Sequence, residues 1–189
     1  MKMAIQPVLR FVVAATLAAA VSTASAQTSP IRISVSVTGS TDTKRAKPPK
    51  KGGTIPKTTI TQDKQLEITL ANTTPADYKG LTVKYYMFTK DLTSKEISIP
   101  RMGKRDIDLA NLGSAKVKSE TLLTTYTTQY SKKSQGDLTF VPEEGKRFIG
   151  YGVQLLSGDT VLAETFEPPD LKAKLGTAWI EPVGGKKKS

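Results

Sequence analysis

Cysteine and histidine are both absent from the 189-residue chain, and their absence removes most of the familiar site chemistry. Without them there is no disulfide framework, no Cys/His zinc or haem site, no thiol nucleophile and no Ser-His-Asp arrangement. Aromatic residues are sparse, at 6% with a single tryptophan, and acidic residues number 17 against 28 basic ones. Hydrophobic residues at 38% suffice for a core but sit below the usual share, as expected if part of the chain stays outside it.

What is present begins with a leader. Lys2 and Arg10 form a positive n-region, Phe11 to Val21 form an 11-residue apolar run, and Ser22 to Ala26 ends in the small-x-small pattern that signal peptidase reads. The run is too short to span a bilayer, which takes about 20 residues. No cysteine is available for lipid acylation, and no prepilin cleavage pattern precedes the apolar run. The expectation is cleavage between Ala26 and Gln27, an extracytoplasmic mature protein of 163 residues, and no membrane anchor after cleavage. That size predicts one domain over 27–180 followed by a basic tail at 181–189.

The formal charge of +11 is unevenly placed. Residues 58–180 hold 16 basic and 15 acidic residues, so this body is almost neutral. The surplus lies in Lys44, Arg45, Lys47, Lys50, Lys51 and Lys57 and in Lys186 to Lys188. Pro48-Pro49 and Gly52-Gly53 interrupt the first cluster, which predicts an exposed loop over about 39–57. Two readings apply to it, a merely solvated loop or a polyanion-binding arm acting through counterion release. No helix or aromatic-rich strand accompanies the charge, which argues against sequence-specific nucleic-acid recognition.

Elsewhere apolar residues recur with period two. Ile31, Ile33, Val35 and Val37 alternate with polar neighbours, as do Leu66, Ile68 and Leu70 before the turn sequence Asn72 to Pro75. Leu81, Val83, Tyr85 and Met87 repeat the pattern, while Tyr86 and Phe88 occupy the opposite face. That second face is either covered or a partner-binding surface, so Tyr86 and Phe88 are the candidate partner residues. Ile97 and Ile99 precede Pro100, Ile107 and Leu109 alternate with aspartates, and the threonine-rich stretch 121–128 favours strand. Asp137 to Val141 is a short strand candidate. Phe148 to Leu156 and Thr160 to Phe166 flank Ser157-Gly158-Asp159 as a hairpin. Pro168-Pro169 then stops pairing, leaving 170–189 as a loose tail with at most one helical turn at 171–175.

About seven short strands without a long amphipathic helix predict an all-β, immunoglobulin-like antiparallel sandwich, with a closed barrel as the alternative. No catalytic, cofactor or metal residue emerges. Asp106 and Asp108 share a strand face and read as solvated rather than as a cation site. Glu143-Glu144 reads as an exposed turn, and Gly150 and Gly152 as points of close packing rather than a phosphate loop. The sequon Asn72-Thr73-Thr74 reads as a turn.

The segments Leu81 to Tyr86, Ile107 to Ser114, Tyr151 to Leu156 and Val161 to Glu164 together resemble small secreted immunoglobulin-like proteins of verrucomicrobial bacteria such as Akkermansia, some linked to type IV pilus-like gene clusters. The resemblance implies an extracytoplasmic, non-enzymatic adhesion or assembly role with a protein partner at the cell surface. A carbohydrate or anionic-polymer binding module is the alternative. A hydrolase using carboxylates or a metal is the remaining class, and no residues converge on it.

Overall fold

The computed structural model describes residues 29–47, 55–134, 137–177 and 179–180. The leader read over 1–26, Lys50, Lys51 and the tail 181–189 lie outside the described residues.

The period-two segments become strands, and the architecture is an all-β sandwich. In chain order the elements are β1 (Ile31–Thr38), β2 (Thr41–Arg45), β3 (Thr58–Asn72), β4 (Tyr78–Asp91), β5 (Ile97–Leu109), β6 (Ser114–Lys118) and β7 (Leu122–Thr127). They continue with β8 (Tyr130–Ser134), β9 (Asp137–Val141), β10 (Glu144–Ser157), β11 (Thr160–Glu167), a 3₁₀ turn (Pro169–Lys174) and β12 (Trp179–Ile180). One layer is β1-β3-β6 and the other β11-β10-β4-β5-β12. The layers are not separate sheets. β3 is long enough for 65–72 to pair β1 while 58–64 pairs β2 and β7, and β7 in turn meets the start of β10. Ten strands thus form one hydrogen-bonded sheet folded over on itself, and β8–β9 is a separate two-stranded hairpin.

The alternating side chains fill the space between the layers. Leu66, Ile68 and Leu70 of β3 meet Leu81, Val83, Tyr85 and Met87 of β4 and Val153 and Leu155 of β10, all essentially buried. Each such aliphatic side chain contributes about 1.5–3 kcal/mol relative to exposure. A second core lies on the outer face of the β4 layer, where Phe88, Ile99 and Phe166 pack with Leu171 of the 3₁₀ turn. Gly152 makes this packing possible, because a Cβ there would lie 2.2 Å from the Phe166 ring. At the β10–β11 hairpin Gly158 has φ +58° as the first central residue of a two-residue turn, a conformation other residues adopt only with strain.

Several expectations are corrected. The described residues contain twelve strands rather than about seven. The predicted loop 39–57 includes β2, because Thr41 and Thr43 are β-branched and pair with Gln62 and Ile60; the Pro and Gly pairs at 48–49 and 52–53 lie beyond it. The segments on either side of Pro100 form one strand, β5. The ladder shifts between Met87 and Thr89, so Pro100 sits at a bulge and β5 runs on to Leu109. The threonine-rich stretch is strand as expected, forming β7, and Ser119 to Thr121 separate it from β6. Among the described residues after Pro169 the chain is held to the sheet: Leu171 is 1% exposed and β12 pairs in parallel with Ser98 and Ile99 of β5.

Candidate anion-binding end of the sandwich

β2 is an edge strand, paired only with β3, and all five of its residues are exposed. Its register sets Lys44 opposite Thr59 and Arg45 opposite Thr58, so these two cations project from opposite faces. The pairing continues one step further, Ala46 N–H donating to Lys57 O at 2.8 Å, which sets Ala46 opposite Lys57 and carries Lys47 just past the paired end. Lys44 lies 3.9 Å from Asp42 with its side chain 84% exposed, a contact weak enough to yield to an external anion. No carboxylate among the described residues pairs with Arg45 or Lys47. Lys57 is different, since its Nζ lies 3.3 Å from Glu144 Oε1 and 5.4 Å from the centre of the Tyr130 ring. Its charge is partly offset by that carboxylate, and the contacts link the arm to β10 and β8. Lys64, which charge counting in the nearly neutral body passed over, joins the same end by donating to Thr41 Oγ1 at 3.4 Å.

The β8–β9 hairpin borders this arm. Ser131 N–H donates to Ile55 O at 3.0 Å and Ser131 Oγ accepts from Ile55 N–H at 2.7 Å. Across the hairpin Ser131 faces Phe140. Phe140 and Leu138, two apart on β9, share a face and remain 56% and 46% exposed. Ile55 is also 46% exposed. The apolar alternation of Leu138 and Phe140 is visible in the chain; that nothing among the described residues covers it is a property of the fold.

The other proposed partner residues lie elsewhere and are corrected in part. β4 is central, between β10 and β5, and Phe88 is fully buried beneath Leu171, so it presents no partner surface. Tyr86 is half-covered, and its hydroxyl donates to Gln154 Oε1 at 3.2 Å. Gln154 donates in turn to Glu164 Oε2 at 3.1 Å, and Lys172 closes the chain on the other oxygen. Burial pushes the Tyr86 phenol above its ordinary range, while Lys172 and then Gln154 hold the Glu164 carboxyl below the usual one. This network ties the 3₁₀ turn to the sheet.

Asp106 Oδ1 accepts from Thr82 Oγ1 and Asp108 Oδ1 from Gly80 N–H, each at 2.8 Å, so both carboxylates serve the β4–β5 ladder. The sequon residue Asn72 is 4% exposed. Its Nδ2 donates to Ala76 O and Ala110 O, and its Oδ1 accepts from Thr74 N–H and Thr74 Oγ1. It is a buried organiser of the turn, with no amide hydrogen left for modification. A cleft of about 750 Å³ lies beside the β4–β5 turn, lined by Asp91, Lys95, Glu96, Lys146 and Lys174 among others. Its charges are of both signs, and Asp91 is already engaged by the Thr93 and Ser94 amides.

No protein-family model and no curated protein matches the chain. Among solved structures it is similar to a Northeast Structural Genomics Consortium target, SoR45, at 15% identity over 63% of this chain and 85% of that one, with a TM-score of 0.30. It is similar also to a protein from Akkermansia muciniphila, at 12% identity over 72% of this chain and 70% of that one, with a TM-score of 0.24. Superposition this slight bears on neither mechanism nor ligand.

Proposed function

We propose that the protein is a non-enzymatic, extracytoplasmic binding module of the bacterial cell surface whose ligand is an anionic polymer, met by the β2 end of the sandwich. The observation that carries this reading is the position of Lys44, Arg45 and Lys47 on and just after a fully exposed edge strand, while the basic residues of the body are nearly balanced by acidic ones. Long-range attraction and counterion release need only a dense, accessible array of cations, which such an edge supplies without a pocket. Surface adhesion, including the pilus-linked role that the strand-pattern resemblance implies, belongs to the same class of module.

The test is binding to immobilised heparin at several salt concentrations. The wild-type protein should bind with an affinity that falls steeply with salt, and the combined Lys44→Glu, Arg45→Glu, Lys47→Glu variant should bind weakly with a slope shallower by about two to three units of log K per log salt. Lys84→Glu with Lys104→Glu, on the outer face of the β4 layer, is the control and should change little. Salt-independent binding, or equal loss in the control, would refute the assignment.

A further inference from the structure

The β2 end carries exposed apolar side chains as well as cations, and a hydrophilic polyanion would leave those side chains in water. Across this end the order is the terminus of β2, the segment 55–58, β8 and β9, each step joined by backbone hydrogen bonds: Ala46 to Lys57, Thr128 to Thr58, Ser131 to Ile55, and the β8–β9 register. Arg45 and Lys47 occupy one flank. Ile55, Leu138 and Phe140 occupy the other, on a hairpin that takes no part in the ten-stranded sheet. The hairpin's charged residues are Lys132, Lys133 and Asp137, a net positive charge that an anionic surface favours.

Resting on the reading that this end binds anions, we propose that it also docks on the surface of an anionic lipid bilayer, with Phe140, Leu138 and Ile55 entering the interface while Arg45 and Lys47, on one face of the edge, meet the headgroups. Charge complementarity selects the occupant. Stable attachment at an interface takes two signals, buried apolar area and electrostatic attraction, and the two stand side by side here. A second copy of this basic end would instead set like charges together.

The experiment is co-sedimentation of the purified protein with phosphatidylcholine vesicles, with and without phosphatidylglycerol, run in parallel with heparin binding. The wild-type protein should sediment only with the phosphatidylglycerol vesicles. Leu138→Ser with Phe140→Ser should lower vesicle partitioning by about 100-fold, roughly tenfold for each half-exposed side chain withdrawn from the interface, and leave heparin binding within about twofold. Phe140→Ser alone should show the smaller step. Both side chains lie outside the two cores, so melting should not change. Heparin binding without vesicle binding, or vesicle binding indifferent to the double variant, overturns the lipid assignment and leaves the polyanion reading standing. Loss of binding to both ligands in the wild-type protein overturns both.

Discussion

Replacing Asn72 tests whether the turn after β3 is organised by one buried amide. Its side chain makes four hydrogen bonds, donating to Ala76 O at 2.6 Å and Ala110 O at 2.9 Å and accepting from Thr74 N–H and Oγ1, each at 2.9 Å. A neutral hydrogen bond contributes about 0.5–1.5 kcal/mol net. Ala110 O keeps its bond from Gly113 N–H, and Ala76 is exposed enough to rehydrate. Asn72→Ala should therefore cost about 2–4 kcal/mol, the lower half of the simple sum being favoured, and lower the melting temperature by on the order of 10 °C. Asn72→Asp separates chemistry from shape. It keeps both acceptor contacts but sets a carboxylate against two carbonyl oxygens, so the folded state raises its pKa above the unfolded value of about 3.9. The folded form then holds more protons than the unfolded one between those two values, and stability falls as pH rises through that window before levelling off. Urea denaturation at several pH values is the assay. Asn72→Asp should be the worse variant at neutral pH and should recover toward Asn72→Ala on acidification, whose own deficit relative to wild type stays flat. An Asn72→Ala cost below about 0.5 kcal/mol, or an Asn72→Asp deficit with no pH dependence, would refute this account.

Gly152→Ala places a Cβ 2.2 Å from the Phe166 ring and should destabilise by about 1–3 kcal/mol, as seen in thermal or urea melts, whereas an unchanged midpoint would mean that Phe166 gives way freely. Phe88→Ala should cost about 3–5 kcal/mol because the ring is fully buried, while Tyr86→Phe, losing one hydrogen bond to Gln154, should cost about 1 kcal/mol or less. Equal effects at these two neighbours would contradict the covering of Phe88 by Leu171.

How far the chain's own pattern reaches is clearest on β4. Alternation of Leu81, Val83, Tyr85 and Met87 identifies one buried face, because period two is a local property of extended backbone. It leaves undecided whether Tyr86 and Phe88 meet a partner or the protein itself. That depends on Leu171, more than eighty residues away, arriving on the outer face of the sheet. Burial is a sum over distant neighbours, and a local window holds none of them.

The same division runs through the rest of the molecule. Sequence alone determined the all-β class, the inward row of β4 and that of β1 from Ile31 to Val35, though not Val37, which is 40% exposed, the turn at Gly158 and the concentration of cations between Lys44 and Lys57, since each depends on dihedral preferences, alternation or charge carried by adjacent residues. Only the tertiary structure decided that Thr41 to Arg45 would pair as an edge strand, that β3 would serve both layers, that Asn72 would be sealed inside its turn, and that Leu138 and Phe140 would remain uncovered beside the basic arm. These outcomes rest on register and on competition among distant segments for the same hydrogen bonds and the same apolar surface. Closing long loops is worthwhile only when the whole fold repays the lost chain entropy, and that balance is not written in any single stretch of residues.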